Sequence, residues 1–462
     1  MQVPEIAPPE TWGQDSLEWL ESCGIIPTVP DVYPSHFNTA CRDEFRYYLV
    51  HRLGIRPAFE YSEALSRGSW LHLCAEYWIT LGPAVWEDAI RKVLETRLKE
   101  LRKVCDVLRL SEEKTATILE KERNDALCTV GWWNAYLDTP ITPTLTLHKY
   151  LTSSNLRHLG SEVHLSMPNP AGKRVYPLLA AYFDHLYYNP NTNQIWDLDF
   201  KTTSKSCIDR LKQAPYEFAT LAHLTILEHH LTSLAATYDL PASVSVGGMI
   251  HVALRKPTIT LGQRDRPHHF ACTGKRSGLS GTARPRPDDS WYARTVYDEN
   301  GLLASEVTFP PSVEGGAKQA ALAWLHGAVG VKPKETYYGE PSIATYTGRV
   351  LEWATGVGHY AEEGPSRAAD PVVNISETAA TILDDSDEWH QFSRKLKMVG
   401  DLAIRYPLPS NFIRPMYGMS DGRSNKPSPF APFYTSHPRT WPTIIEQEGF
   451  ILKNVPQENP DD

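Results

Sequence analysis

The chain has 462 residues, 41% of them hydrophobic, which is enough to bury more than one core. Its 46 Lys and Arg residues against 55 Asp and Glu give a net charge of −9, which excludes a protein that coats nucleic acid by bulk charge. Seven dispersed cysteines without a CxxC pair argue against a zinc ribbon or a disulfide framework and indicate a reducing compartment.

The N-terminus has no basic segment followed by an apolar run, and the chain has no stretch of about 18 uninterrupted apolar residues. We therefore expect no signal peptide, no membrane span and no membrane partner. The sequence predicts a cytoplasmic protein.

The N-terminal third is predicted to be mainly helical. Residues 1–34 are rich in proline and acid and are expected to form an irregular lead-in. Apolar residues near helical spacing predict helices at 35–55 and 66–82. Residues 84–137 have mixed charge and predict two or three long helices with a solvated face, which we interpret as a helical insertion.

From about residue 160 the pattern changes to strands. The segments SEVHLSMP, VYPLLAAYFDHLYYNP and QIWDLDFKTT have strand-like content and are separated by the turn signals NPAGK and NPNTN. A long helix, APYEFATLAHLTILEHHLTSLAATY, and a further strand, VSVGGMIHVALRKP, follow. This order predicts a mixed α/β or α+β core.

A basic segment follows this core. Residues 255–287 hold eight basic residues and one acid, with many Gly and Pro, and a flexible basic loop is predicted at 261–290. The loop fits either a DNA contact or a solvated segment. The candidate DNA-binding residues are Arg255, Lys256, Lys275 and Arg276. Residues 291–462 form an additional C-terminal region to which the sequence assigns no function.

The strand QIWDLDFKTT carries an unusual charged face. At a period of two, Trp196, Leu198 and Phe200 point to one side. Asp197, Asp199 and Lys201 point to the other side, and the preceding strand brings Asp184 close. Carboxylates from adjacent strands suit Mg²⁺ or Mn²⁺, and a nearby lysine can hold an attacking water. The alternative is an ordinary wet strand face.

These residues resemble the PD-(D/E)XK nuclease superfamily, and more narrowly its RecB-like branch. Asp184 in AYFD is similar to the second motif GxxD, with Ala181 in place of Gly, and DFKTTS is similar to the third motif, DxK followed by Thr or Ser. Upstream, Gly68-Ser-Trp-Leu-His72 resembles the helix that carries a metal-binding histidine. The Ser35 to Phe45 segment and the RKP at 255–257 extend the resemblance to about residues 35–260.

The resemblance implies a restriction-endonuclease-like core at 35–260, in which helices flank a mixed β-sheet. It further implies that Mg²⁺ or Mn²⁺ is held by His72, Asp184, Asp199 and the backbone carbonyl of Phe200. Lys201 would orient or activate the attacking water, with Asp184 and Asp199 as the other catalytic residues. Glu76 and Glu162 are candidate accessory residues.

Several of these assignments have competing interpretations. Asp197 shares a face with Asp199, and we interpret it as a neighbour on the wet face because the lysine spacing favours Asp199. His72 could instead be a core histidine, and Glu76 could form an ordinary helix ion pair. The QxxxY pattern of the family is not kept, because Gln213 and Tyr216 are one residue too close.

The implied activity is that of a metal-dependent DNA nuclease. The favoured role is an exonuclease on linear double- or single-stranded DNA in recombination, repair or phage DNA metabolism, with a recombinase, an annealing protein or a helicase as a partner. No cysteine follows Cys272, so the iron–sulfur cluster of some relatives is not expected. The alternatives are a catalytically inactive DNA-binding scaffold with a nuclease fold and a regulator that acts through residues 291–462.

Overall fold

The computed structural model of the chain describes residues 14–57, 63–153, 155–170, 178–273, 279–296, 304–356, 371–384, 386–405, 430–447 and 450–452. Lys275 and Arg276, which the sequence predicts to contact DNA, lie outside the described residues.

Helices and strands follow one another in short runs along the described chain. The α-helices are α1 Gln14–Ser22, α2 Pro34–Arg42, α3 Glu44–Tyr47, α4 Glu63–Leu81, α5 Trp86–Val107, α6 Glu112–Asp138, α7 Leu147–Leu151, α8 Cys207–Gln213, α9 Phe218–Thr237, α10 Ala317–Val329, α11 Ile343–Thr355, α12 Ser386–Ile404, α13 Ala431–Thr435 and α14 Trp441–Gln447. The strands are β1 Ile55–Pro57, β2 Pro140–Thr142, β3 Leu145–Thr146, β4 Arg157–Met167, β5 Leu179–Asn189, β6 Gln194–Thr203, β7 Ser245–Arg255, β8 His268–Thr273, β9 Ser280–Pro285, β10 Trp291–Val296, β11 Ser305–Phe309, β12 Lys334–Tyr337, β13 Val373–Ala379 and β14 Phe450–Leu452.

The chain divides into two compact units. Unit 1 comprises residues 1–126, 136–256 and 364–462. Unit 2 comprises residues 127–135 and 257–363. The predicted mixed α/β fold is confirmed, since both units combine sheets with helices.

A five-stranded mixed sheet in the order β13-β7-β6-β5-β4 organises unit 1. Strands β4, β5 and β6 form an antiparallel meander, and β6 pairs with β7 in parallel. A parallel pair needs a crossover, which α8 and α9 provide. The first half of α9 is buried almost all round, from Phe218 to Leu227, because it packs on the sheet and on α2.

Unit 2 is built on an antiparallel sheet in the order β11-β10-β9-β8-β12, with α10 packed on one face. The apolar contact joins Phe270, Ala283 and Trp291 of the sheet to Leu325 of α10. A Cβ on Gly281 would lie 2.4 Å from a methyl of Leu325, so glycine is required where the helix approaches the strand.

The prediction of a flexible loop at 261–290 is therefore wrong for much of this segment. Strands β8 and β9 lie within it, and a short 3₁₀ turn, Gln263–Asp265, precedes them. The strands form because alternate residues such as Phe270 and Ala283 enter the core of unit 2. The sequence predicts a loop here because the segment contains many Gly and Pro residues, which are typical of loops.

The lead-in and the C-terminal region also differ from expectation. Residues 14–22 form helix α1 instead of an irregular segment, and Val32 forms an isolated bridge with Leu179 of β5. Part of the C-terminal region returns to unit 1, where β13 pairs with β7 and α12 packs near α2. The core that contains the meander therefore does not end at residue 260.

None of the described helices combines the length with the apolar character that a membrane crossing requires.

Two histidines of unit 1 are expected to make the protein sensitive to acid. The rings of His36 and His51 lie 3.8 Å apart, and burial lowers the pKa of His36 to about 4 and that of His51 to about 3. Below a pH of about 6.5 the unfolded chain binds protons that the native state excludes, so stability falls as the pH falls. We expect a loss of at most about 1.4 kcal/mol per pH unit for each histidine between roughly pH 6.5 and 4.

Urea unfolding at pH 7, 6 and 5 measures this effect. The double variant His36→Leu with His51→Leu should show a flatter pH dependence than the wild type. His229→Gln, which changes an exposed histidine, is the matched control. Parallel pH profiles for the wild type and the double variant would contradict the prediction.

Candidate active site

The turn between β5 and β6 brings the two predicted ligand carboxylates together. The antiparallel register of these strands runs from Asn189↔Gln194 to His185↔Leu198, and Asp184 and Asp199 are the next residues on each strand. Beyond this point β5 and β6 are no longer paired through their backbones. Instead, Oδ2 of Asp184 accepts a hydrogen bond from the backbone N–H of Phe200 at 3.3 Å. The two strands thus hold both carboxylates at one point of the sheet.

Helix α4 supplies the predicted histidine. Trp70 and Cys74 are buried on this helix, whereas the His72 side chain is 31% exposed and reaches the sheet. Its Nδ1 lies 3.0 Å from Oδ2 of Asp184. Burial lowers the pKa of His72, but the charge and hydrogen bond of Asp184 outweigh burial, so the pKa is raised overall. His72 is therefore a partly exposed histidine that pairs with Asp184 and not a core histidine, and its role as a metal ligand stays a prediction.

Lys201 and Asp199 form an ion pair, with Nζ 2.5 Å from Oδ1. Burial favours the neutral carboxyl, but the charge of Lys201 and its hydrogen bond hold the pKa of Asp199 well below its usual range. The pKa of Lys201 is raised because the charges of Asp199 and Asp184 outweigh its burial. Both groups are therefore ionised at neutral pH.

An open cleft of about 650 Å³ borders these groups and exposes part of the Lys201 side chain, whereas the Asp199 side chain is almost fully buried at its wall. Its lining includes Asp184, Asp199 and Lys201. A second cleft of about 540 Å³ contacts His72 and is lined also by Glu76 and Glu162. The four predicted residues therefore lie together, with solvent access from two clefts.

The larger of these two clefts contains two further cations that the sequence pattern did not indicate. Arg210, in the last turn of α8, forms a two-point ion pair with Glu217, and both line the cleft. Lys395 comes from α12, far away in sequence, and its Nζ lies 5.4 Å from the ring centroid of Phe37. The spacing of polar residues along a helix could have identified Arg210, but no local signal identifies Lys395.

Tyr216 also lines this cleft and is 60% exposed, although it lacks the spacing of the family motif. Gln213 ends α8 and is not among the lining residues.

The interpretation of Asp197 as a wet neighbour is wrong. Its side chain is completely buried, and its Oδ2 lies 2.7 Å from Nδ1 of His223 on α9. The face of β6 that carries the acids is covered by this helix at Asp197 and opens into the cleft only near Asp199 and Lys201. His223 lines the same cleft, so the buried pair lies directly beside the predicted site.

We expect this buried pair to matter for stability. His223→Leu would leave the Asp197 carboxylate without its hydrogen bond, and we expect the free energy of unfolding of unit 1 to fall by about 1–3 kcal/mol. The double variant Asp197→Leu with His223→Leu should recover part of this loss because it removes the buried charge. Urea unfolding of the three proteins gives the comparison, and an unchanged midpoint for His223→Leu would contradict it.

The accessory candidates face the second cleft. Glu76 is half-buried and forms no ion pair with any other residue that the structure describes, so the ordinary helix pair is not found there. Burial raises the pKa of Glu76, and burial with the charges of Asp184 and Glu76 raises that of Glu162. An accumulation of negative charge near His72 favours cations at this edge of the site.

The basic candidates Arg255 and Lys256 lie at the end of β7. Arg255 pairs in register with Thr203, and the Lys256 N–H donates to the Thr203 carbonyl at 2.8 Å. Neither residue lines the cleft that holds Lys201. Their role in DNA binding stays a prediction.

The carboxylate oxygens of Asp184 and Asp199 at the cleft are ligands that a hard divalent cation prefers. Asp199 Oδ2 is buried, has no hydrogen-bond partner in the described chain, and lies 3.8 Å from His251 Nδ1. A buried carboxylate oxygen of this kind favours a cationic ligand. However, His72 pairs with Asp184 and Lys201 pairs with Asp199, and within the described ranges no three His, Cys, Asp or Glu side chains are arranged to hold a metal ion. The complete ligand set therefore stays a prediction.

A mixed sheet flanked by helices, with Asp184 and an Asp199-x-Lys201 pair at one cleft, defines a restriction-endonuclease-like core. A sequence profile of the PD-(D/E)XK nuclease superfamily matches residues 33–323, more than half of the chain. The chain belongs to the PD-(D/E)XK nuclease superfamily. Members of this superfamily are generally nucleases and typically use divalent metal ions. No curated protein matches the chain significantly.

Proposed function

We propose that the protein is a metal-dependent deoxyribonuclease that acts as an exonuclease on linear DNA. The observation that carries this proposal is the meeting of the His72–Asp184 and Asp199–Lys201 pairs beside one cleft. Phosphodiester hydrolysis needs an oriented water and a means of stabilising negative charge, and this set of residues suits both tasks.

The metal would be held by His72, Asp184, Asp199 and the backbone carbonyl of Phe200. When bound, Mg²⁺ or Mn²⁺ lowers the pKa of a water ligand and offsets the charge that develops on the phosphate. The carboxylates of Asp184 and Asp199 lie where the pairing of β5 with β6 ends, and both residues line the cleft.

Lys201 would orient the attacking water. Its ammonium group is anchored by Asp199 and 31% of its side chain is exposed, so it can contact substrate while keeping its position. A charged hydrogen-bond donor that is already in position needs little reorganisation when negative charge develops in the transition state. Arg210 and Lys395, which line the same cleft, would contact the DNA phosphates.

The exonuclease role and the biological setting in recombination, repair or phage DNA metabolism rest on the resemblance to RecB-like nucleases. The sequence contains no GxxxxGK[ST] motif, so unwinding of a duplex would depend on a partner such as a helicase. A recombinase or an annealing protein would be a partner of the same kind.

Cleavage assays on end-labelled linear and closed circular DNA, both single- and double-stranded, test the proposal. Each substrate is incubated with Mg²⁺, Mn²⁺ or EDTA, and Lys201→Ala runs beside the wild type to reveal a contaminating nuclease. Metal-dependent loss of linear DNA alone supports an exonuclease, and the label gives the polarity. Cleavage of circles would make the enzyme an endonuclease, while binding without cleavage would favour a DNA-binding scaffold.

A further inference from the structure

An aromatic cluster lies beside the candidate active site. The tyrosine platform, defined here as Tyr33, His164 and Tyr182, brings together three rings from different segments. Tyr33 and Tyr182 stack with centroids 6.0 Å apart and an interplanar angle of 12°. The rings of His164 and Tyr182 lie 4.6 Å apart, and the Tyr33 hydroxyl lies 3.2 Å from His164 Nε2. Each ring therefore contacts the other two.

Backbone hydrogen bonds hold the platform in place. His164 and Tyr182 are direct partners in the β4–β5 register. Tyr33 is held beside β5 by the hydrogen bonds of the preceding residue, Val32. The Val32 N–H donates to the Leu178 carbonyl at 2.8 Å, and the Val32 carbonyl accepts from the Ala180 N–H at 3.0 Å. The rings are therefore arranged before any ligand binds, which lowers the entropic cost of binding.

Tyr182 presents much of its ring to solvent. It is 53% exposed, and it lines the same cleft as Asp184 and Lys201. A single exposed aromatic residue is common on protein surfaces. Tyr182 differs because its ring is supported by two others and because its exposed part belongs to a cleft that also contains cations.

The distance from Tyr182 to the reacting groups suits a nucleotide. Tyr182 and Asp184 lie two residues apart on β5, which separates their Cα atoms by roughly 6.6 Å along the strand. A nucleobase attached to the phosphate at Asp184 could therefore reach the Tyr182 ring. Base–aromatic stacking is a common way in which proteins hold unpaired bases, and it tolerates different sequences.

We propose that the tyrosine platform is a nucleobase-stacking subsite that holds an unpaired base next to the phosphate to be cleaved. This inference rests on the proposed nuclease function and specifies its substrate. Within a duplex both faces of a base are covered by its neighbours, so stacking on Tyr182 requires a single strand, a frayed end or an extruded nucleotide.

Fluorescence of 2-aminopurine tests the subsite directly. Single-stranded oligonucleotides carrying one 2-aminopurine at successive positions are bound to the Lys201→Ala protein, which is expected to cleave DNA slowly enough for the bound state to be measured. Stacking quenches the fluorescence of this base. We therefore expect quenching at one position with the Lys201→Ala protein and also with the double variant that combines Lys201→Ala with Tyr182→Phe. Quenching should be lost with Lys201→Ala, Tyr182→Ala, because only the phenylalanine variant keeps a ring.

Affinities for matched abasic oligonucleotides separate stacking from loss of structure. On intact DNA, Tyr182→Ala should weaken binding by about 5- to 100-fold. On DNA that lacks the base at the quenched position, proteins with tyrosine and alanine should bind equally well. Tyr338→Ala, which changes a 45%-exposed tyrosine outside this cleft, should change neither affinity.

The outcomes distinguish the two levels of the proposal. Normal binding and cleavage with no quenching at any position, or equal loss of affinity on intact and abasic DNA, would overturn the stacking subsite and leave the nuclease proposal standing. Absence of both DNA binding and cleavage in the wild type would overturn the proposed function itself.

Discussion

Replacement of Lys201 by alanine is expected to slow DNA cleavage by roughly 10²- to 10⁴-fold, the range expected for loss of a group that moves or orients a proton in the reaction. The lysine is held by Asp199 at 2.5 Å and is partly exposed to the cleft. Its ammonium group is therefore held in place at the cleft, and alanine offers neither the charge nor a hydrogen bond. Single-turnover cleavage of end-labelled linear DNA measures the loss.

The fold should survive this change. Lys201 is not part of the apolar core, and Phe200 and Leu198, which enter the sheet interior, are untouched. DNA binding by Lys201→Ala should therefore remain within a few-fold of the wild type. Lys205→Ala, at an exposed lysine four residues later, serves as the control for loss of positive charge. Equal activity of the wild type and Lys201→Ala would remove Lys201 from the mechanism.

The second large effect is expected at His72. His72→Ala removes an imidazole that lies 3.0 Å from Asp184, and we expect the concentration of Mn²⁺ or Mg²⁺ needed for half-maximal cleavage to rise by about 10- to 100-fold. Removal of all divalent metal with EDTA should abolish cleavage by every variant. A metal titration at saturating DNA measures the shift, and excess metal should restore part of the activity of His72→Ala.

The matched control is Glu76→Gln, one helical turn from His72 on α4. It keeps the size of the side chain and removes its charge. If Glu76 is only a neighbour, the metal requirement should change much less than in His72→Ala. A shift of equal size in both variants would place Glu76 among the ligands, and an unchanged requirement in His72→Ala would exclude the histidine.

The assembly of the site could be predicted because its parts are close in sequence or follow strand geometry. A turn between β5 and β6 makes Asp184 and Asp199 neighbours, and a period of two puts Lys201 on the same face as Asp199. His72 needed the family resemblance, since nothing in the pattern of α4 alone says that it contacts β5.

The burial of Asp197 could not be predicted in this way. Strand alternation gives Asp197 and Asp199 the same face but does not say which part of that face a helix covers. His223 on α9 covers Asp197 and forms its hydrogen bond, while Asp199 two residues later reaches the cleft. This outcome depends on the position of a helix across the sheet, which a single sequence does not encode locally.

Long-range pairing was missed for a related reason. β13 adds to the sheet beside β7 more than 100 residues after it, and Lys395 reaches the cleft from α12. Neither segment carries a local motif. In unit 2, the sequence around β8 and β9 alternates only weakly between apolar and polar residues, and its Gly and Pro residues predict a loop. The strands are recognisable in the structure because their apolar residues pack on α10.

The pairing of β7 with β13 has a consequence for how this chain tolerates changes in length. The Arg255 N–H donates to the Val372 carbonyl at 2.8 Å, so the chain leaves and re-enters the sheet at the same place. β7 and β13 are paired like the two strands of a hairpin, and the connection between them includes residues 257–363. Loop growth at such a point carries a closure entropy that rises only slowly with length. A short turn from Lys256 to Val372 would preserve all seven residue pairs of the two strands, whereas a fragment cut at residue 260 would expose β7 as a bare edge prone to aggregation.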